Sequence, residues 1–143
     1  MLSLYVNNQQ HIIANDDYYI RQMASGLDEV VFTISIWDEV YPQLVEEASI
    51  RDRDQQWYLI KQIDAGNETA KIVAQLDLDA WKSEMLIGYS NNSATLYATI
   101  NGVLPTGWLF LDNSGLTMQR TIEGDYTPLE IVDACRDTYG VYF

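Results

Sequence analysis

The sequence is poor in the residues from which many catalytic and metal sites are built, with one cysteine and one histidine among 143 residues. A single cysteine, Cys135, excludes an intramolecular disulfide, so stability must come from packing. His11 has no second histidine with which to complete a zinc site, and no Ser-His-Asp or Cys-His arrangement of the usual type is present. The residues therefore predict no catalytic residue, no cofactor and no metal site, and we expect this segment not to be an enzyme.

Basic residues are also scarce, since 8 Lys and Arg stand against 21 Asp and Glu, a net charge of −13. Such a chain repels the phosphates of nucleic acids and anionic membranes, which predicts no nucleic-acid binding. No apolar run is long enough for a membrane segment. The start, Met1 to Val6, lacks the basic and long apolar stretches of a signal peptide, so we expect synthesis in the cytoplasm without export by that route.

Acidic pairs are the remaining candidates for chemistry, but they lack the context that a site needs. Asp16-Asp17, Asp52-Asp54 and Asp77-Asp79 have neither the glycine nor the distal glutamate of a calcium-binding loop, which favours solvated turns. No glycine-rich phosphate loop is present. Adjacent carboxylates also give no evidence of the spacing across a cleft that glycoside hydrolysis requires.

Strand patterns fill the first half of the chain. Val30, Phe32, Ile34 and Ile36 are all apolar, while Thr33 and Ser35 lie between them, which predicts a half-buried strand over Val30 to Trp37. Tyr41-Pro42 is predicted to lead into a short turn over Gln43 to Glu47, interpreted as one helical turn with Pro42 near its start. Further strands are predicted by β-branched and aromatic content between polar turns: Leu2 to Val6, His11 to Ala14, Ala48 to Arg51, Trp57 to Ile63 and Ala70 to Leu76.

Helical patterns appear only after a run of turn-forming residues, Gly88 to Ser93. Apolar residues at helical spacing predict a helix over about 94–103. A second helix over 127–139 has an N-cap at Thr127, Pro128 in its first turn, Glu130 completing a capping box and Gly140 as a C-terminal cap. Between the helices, Trp108 to Asp112 and Leu116 to Ile122 are interpreted as two strands.

These patterns together predict an α+β protein. We expect an antiparallel β-barrel-like or sandwich domain over residues 1–90. A small α/β domain with two helices is expected over residues 91–143.

Several segments, in this order, resemble the prophage endopeptidase tail family, relatives of the baseplate hub of contractile-tailed phages. The resemblance is one of pattern and extends over nearly the whole chain. Its most specific pieces are Val31-Phe32-Thr33-Ile34 followed by Tyr41 and 44–50, the strand Trp57 to Ile63, Thr95 to Leu104 with Gly107-Trp108, and Arg120 to Gly140.

The resemblance implies a virion structural role at the tail tip. Members of the family form a homotrimeric ring, join the distal tail protein and other tail proteins, and continue into a C-terminal region with receptor-binding or peptidoglycan-cleaving modules. It also implies that the full-length protein continues beyond Phe143, so that the domain over 91–143 is truncated here.

A second hypothesis comes from the aromatic content of the chain, which includes 10 Tyr and 4 Trp. A β-type module that binds carbohydrate or peptide would use such residues in one concave cleft. A hub segment would instead expose an apolar surface or a strand edge to a neighbouring subunit. Sheet and interface packing is the simpler interpretation of Tyr18-Tyr19, Trp37-Tyr41, Trp57-Tyr58 and Trp81.

Overall fold

The structure, a computed structural model, describes residues 1–14, 17–22 and 27–142. It has the α+β fold that the sequence predicts. The chain divides into two compact units, Met1–Asp77 and Leu78–Phe143. Within the described residues, the first unit contains β strands and one short 3₁₀ turn. The second unit contains all three described α-helices and a two-stranded sheet.

The described residues of the first unit form one antiparallel sheet of seven strands, which is open and curled like half a barrel. Its strands are β1 Leu2–Val6, β2 Gln9–Ile13, β3 Tyr19–Arg21, β4 Glu29–Ser35, β5 Ser49–Arg51, β6 Trp57–Ala65 and β7 Thr69–Leu76. Their order across the sheet is β2-β1-β5-β6-β7-β4-β3.

Local sequence explains the hairpins of this sheet. β1 and β2 are joined by a two-residue hairpin turn, Asn7 and Asn8, and both residues have positive φ (50° and 61°). A turn with this backbone conformation matches the right-handed twist of the two strands. β6 and β7 are joined by a turn over residues 66–68, which includes the turn-forming residues Gly66 and Asn67. The 3₁₀ turn Tyr41–Gln43 has Pro42 in its first turn, where proline's missing N–H costs nothing.

The core of the first unit lies on one face of the sheet. β4 and β7 pair in register from Glu29 opposite Gln75 to Ser35 opposite Thr69, which places their alternate apolar residues together. These residues are joined by the apolar face of β1, β5 and β6. The largest fully buried side chains of this core are Leu2, Leu4, Ile13, Val30, Phe32, Ile50, Ile60 and Ile72.

The second unit is built around a short two-stranded sheet. β8 (Leu86–Ser90) pairs antiparallel with β9 (Glu123–Tyr126). Its helices are α1 Asp79–Lys82, α2 Leu96–Asn101 and α3 Pro128–Tyr139.

The caps predicted for the last helix are confirmed. The Thr127 hydroxyl accepts a hydrogen bond from the Glu130 N–H, and the Glu130 carboxylate accepts one from the Thr127 N–H. Gly140 ends α3 in the left-handed conformation (φ 64°) and donates its N–H to the Arg136 carbonyl. The buried face of α3 consists of Pro128, Ile131, Val132, Cys135 and Tyr139.

Two predicted strands are wrong. Residues 108–112 and 116–122 form no named strand, apart from one isolated bridge between Gln119 and Thr95, and the strand that does form nearby is β9. The Phe110 main chain is hydrogen-bonded by the Asn101 side chain, which takes the place of a neighbouring strand. β3, β8 and α1 were not predicted, because each is short and lacks a clear period.

The domain boundary expected near residue 90 stays a prediction. In the structure the division between compact units falls between Asp77 and Leu78. The turn-forming run, residues 88–93, contains the end of β8 and the turn that leads to α2. Gly88 has a positive φ (64°) there, where β8 is irregularly paired with β9.

Candidate functional site

The only histidine and the only cysteine lie in different structural surroundings. His11 is half-buried in the edge strand β2, opposite Leu4 of β1. Cys135 is fully buried on α3. Within residues 1–14, 17–22 and 27–142, no group of three or more His, Cys, Asp and Glu could hold a metal ion. The absence of catalysis in this segment remains a prediction.

Burial determines the chemistry of Cys135. Removal from water raises the pKa of its thiol from 9.0 to about 11, because the charged thiolate loses hydration. The thiol is therefore neutral at neutral pH, and a neutral thiol is a poor nucleophile. The position on the apolar face of α3 fits a small hydrophobic residue in the packing of the second unit.

The acidic pair in the turn between β5 and β6 differs from the expected solvated turn at one residue. Asp52 is only 4% exposed. One of its carboxylate oxygens accepts hydrogen bonds from the N–H groups of Asp54 and Gln56, both at 2.9 Å. The other oxygen accepts from the Tyr58 hydroxyl at 3.4 Å, and burial and the nearby carboxylate raise the Tyr58 pKa. Asp52 thus organises the turn.

The other acidic pairs bring no ligand set together. Asp77, which follows β7, donates its N–H to the carbonyl of Trp57 at the start of β6. Asp79 is the first residue of α1. Asp16 lies outside the described residues, so the pair that it forms with Asp17 has no structural account.

Most of the tryptophan rings are engaged in packing. Trp57 packs against Tyr5 with ring centroids 4.8 Å apart, and the Arg51 guanidinium lies 5.1 Å from the Trp57 ring centroid. Trp81 meets Trp108 edge to face at 4.9 Å. Trp37, in contrast, is 81% exposed. The four tryptophan side chains therefore do not line one common cleft.

A groove of about 380 Å³ is present on the described surface of the second unit. It lies beside the start of α2 and contains both apolar and polar side chains. Leu111 and Tyr142 are 73% and 90% exposed, respectively, and Leu109 next to the groove is also exposed. The groove is lined by Leu96, Phe110, Leu111, Asp112, Asn113, Ser114, Val141 and Tyr142.

Hydrogen bonds hold the wall of this groove in place. Asn101, at the end of α2, donates from Nδ2 to the Phe110 carbonyl at 3.1 Å and accepts at Oδ1 from the Phe110 N–H at 3.0 Å. The Asp112 carboxylate accepts from the Ser114 N–H at 2.8 Å. The exposed leucines therefore stand on a fixed backbone, a condition that favours an interface.

The edges of the sheets are a second kind of candidate surface. In the strand order of the described residues, β2 and β3 lie at the two ends of the large sheet. Tyr19 and Ile20 of β3 and Ile12 of β2 are exposed. In the second unit, Ile87 of β8 is exposed as well. Strand edges of this kind can pair with another chain.

The sequence patterns above did not predict the groove, although the sequence contains a usable signal. Trp108, Leu109, Phe110 and Leu111 are four consecutive apolar residues, so they cannot all face the inside of a half-buried strand. A run of this kind beside Pro105 and Gly107 is better interpreted as a surface segment whose leucines point outward. No helix of the described residues is long and apolar enough to cross a membrane.

No known protein-family model and no curated protein matches the sequence. The fold is similar to that of the prophage tail protein gp18 from Listeria monocytogenes EGD-e, with a TM-score of 0.67 and 18% sequence identity. The match covers 99% of this chain and 46% of that protein, so this chain spans less than half of its length. At this level of identity, the similarity establishes a shared fold.

Proposed function

We propose that this chain is a structural component of a phage or prophage tail. The observation that carries the proposal is the shared fold with a prophage tail protein over 99% of this chain. Because folds host more than one function, the surface must support the role as well. The exposed side chains of Leu109, Leu111 and Tyr142 provide that support, since apolar surface on a fixed backbone suits contact with a neighbouring subunit.

At the finer level, the proposal is a hub-like protein of the tail tip that assembles as a homotrimer and contacts the distal tail protein and other tail proteins. A cyclic trimer would bury each subunit's apolar surface against the next copy and enclose a channel. The location is the virion tail, after synthesis in the bacterial host cytoplasm. This segment contributes architecture, and we expect no turnover of peptidoglycan by it.

Light scattering on the longest reading frame that contains this chain tests the trimer, and immunogold labelling of purified tails tests the location. We expect three copies in solution and label at one end of the tail. Replacement of both Leu109 and Leu111 by Glu should abolish assembly while the melting curve stays close to that of the wild type. Thr117→Glu with Gln119→Glu is the matched control, because both residues are exposed in the same unit.

A monomer at high concentration, together with tails that carry no label, would contradict the proposal. Trimer formation that survives the double leucine substitution would leave the tail role standing and remove this surface from the interface. Peptidoglycan cleavage by the isolated chain would contradict the non-catalytic part.

One observation favours the alternative of a carbohydrate or peptide binding module. The groove contains the rings of Phe110 and Tyr142 together with the polar side chains of Asp112 and Asn113. Aromatic rings can stack on sugar rings while amides and carboxylates bind hydroxyls. Calorimetry with cell-wall polysaccharide fragments tests it. The alternative predicts saturable binding that Tyr142→Ala removes, whereas the structural role predicts no binding to the isolated chain.

A further inference from the structure

Trp37 is the most exposed of the large apolar side chains described in the first unit, at 81%. It lies in the loop between β4 and the 3₁₀ turn. Ile36 and Val40 in this loop, and Tyr41 at the start of the 3₁₀ turn, pack against the core. The loop is therefore anchored by its apolar residues, and the tryptophan alone among them extends into solvent.

The backbone that carries Trp37 is held on both sides. The Ile36 N–H donates to the Glu68 carbonyl at 3.0 Å, which ties the loop to the β6–β7 turn. The Trp37 N–H donates to the Ser35 hydroxyl at 3.2 Å, and the Asp38 N–H donates to the Ser35 carbonyl at 3.1 Å. A side chain presented by an ordered backbone loses little further freedom when it binds.

The chain segment that carries Trp37 and the turn that it contacts are both acidic. Residues 36–48 contain four acidic residues, Asp38, Glu39, Glu46 and Glu47, and no Lys or Arg. The contact between Ile36 and Glu68 brings in residues 64–68, with two more acidic residues and again no Lys or Arg. Lys61 pairs with Glu47 at 2.7 Å and neutralises one of the six. Lys71 of β7 lies opposite Asp64 in the β6–β7 pairing, and the two segments together still keep an excess of negative charge.

We propose that Trp37 and the carboxylates of residues 36–48 and 64–68, here called the Trp37 knob, bind a different protein of complementary chemistry. Tryptophan is among the residues that contribute most to binding when it fills a partner's pocket. The acidic surroundings require that this pocket be apolar and rimmed by Lys and Arg. A second copy of this chain is a poor occupant, because its net charge of −13 repels the knob.

This inference rests on the proposed function for where the partner is found, namely among the other proteins of the tail. The leucine surface of the second unit is assigned to contact between copies. The Trp37 knob adds a separate surface in the first unit, and a separate class of partner.

Photo-crosslinking in assembled tail particles tests the knob. The photoreactive residue p-benzoylphenylalanine replaces Trp37 in one strain. In the control strain it replaces Arg53, which is exposed in the turn at the opposite end of β6. We expect irradiation of purified particles to join position 37 to a different tail polypeptide, at a peptide with apolar residues flanked by Lys or Arg. Position 53 should give no such product.

The outcomes separate the two proposals. Particles that contain the chain but give no product at position 37, or a product with a second copy, contradict the knob and leave the tail role intact. Particles that lack the chain contradict the tail role and the inference that rests on it.

Calorimetry with the crosslinked protein, purified, provides the second measurement. Trp37→Ala should weaken binding at least about 30-fold, as expected of a central interface residue. Glu39→Lys should weaken binding and reduce its dependence on salt, because it removes charge complementarity. Gln9→Lys, an exposed substitution on β2, is the control and should have little effect. Unchanged affinity for Trp37→Ala would overturn the knob.

Discussion

The side-chain amide of Asn101 pairs with the main chain of Phe110 in the way that one strand residue pairs with another. It accepts the Phe110 N–H at 3.0 Å and donates to the Phe110 carbonyl at 3.1 Å. The Asn101 Nδ2 group also donates to the Tyr97 carbonyl at 3.2 Å, within α2. One asparagine at the end of α2 therefore fixes the segment that carries the exposed leucines.

Removal of this amide should loosen the groove wall. Asn101→Ala leaves the half-buried N–H and carbonyl of Phe110 without these partners, and we expect a loss of about 1 to 3 kcal/mol in the free energy of unfolding. Urea unfolding measures the loss, and hydrogen exchange at Phe110 locates it. Asn113→Ala, at an exposed position of the same segment, is the control. Unchanged exchange at Phe110 would show that the segment is held by packing alone.

Asp52 should be required for stability although it lies in a polar turn. Asp52→Ala removes the carboxylate that accepts hydrogen bonds from two N–H groups and one hydroxyl. We therefore expect the free energy of unfolding to fall by about 2 to 4 kcal/mol. Asp52→Asn retains one carbonyl oxygen and should lose less. Asp54→Ala changes an exposed side chain and should lie within about 0.5 kcal/mol of wild type. Equal effects of Asp52→Ala and Asp54→Ala in urea unfolding would contradict this role.

Stability should fall in alkaline solution because of Cys135. Its pKa is raised from 9.0 to about 11 in the folded chain, so the unfolded chain loses the thiol proton first as pH rises. The stabilisation that comes from the buried neutral thiol is fully present below pH 9 and is lost as pH rises through about 11. Between pH 7.5 and 10.5, the free energy of unfolding of the wild type should fall by about 2 kcal/mol more than that of Cys135→Ala. Urea unfolding at the two pH values measures the difference. An identical pH dependence for the two proteins would contradict the burial argument.

The capping box of α3 should have a measurable energy. Thr127→Ala removes the hydroxyl that accepts the Glu130 N–H and should cost about 1 kcal/mol in the free energy of unfolding. Thr127→Ser keeps that oxygen and should cost much less. Thermal melts of both variants provide the comparison. If serine and alanine destabilise equally, the loss comes from the methyl group and the hydroxyl has no capping role.

Signals that act over a few residues were predictable from the sequence. The alternation at Val30, Phe32 and Ile34 predicted β4, and the Thr127, Glu130 and Gly140 caps predicted both ends of α3. These features depend on the period of the backbone and on neighbouring hydrogen bonds, which the chain specifies locally. The β-rich first part and the α+β class followed from them.

Contacts between distant parts of the chain set which side chains replace strand partners and which apolar residues remain exposed. Residues 108–112 have the composition of a strand, but Asn101 takes up the polar groups of Phe110, and no strand forms there. Asp52 lies in a polar stretch that predicts a solvated turn, but it is buried, and its carboxylate accepts hydrogen bonds from the Tyr58 hydroxyl and two backbone N–H groups. The exposure of Trp37, between residues that pack against the core, likewise depends on contacts distant in sequence. The caps of α3 were predictable because their hydrogen bonds close within a few residues, and β4 was predictable because its side chains alternate with the period of a strand. The surfaces required the fold, because burial depends on what other parts of the chain leave uncovered.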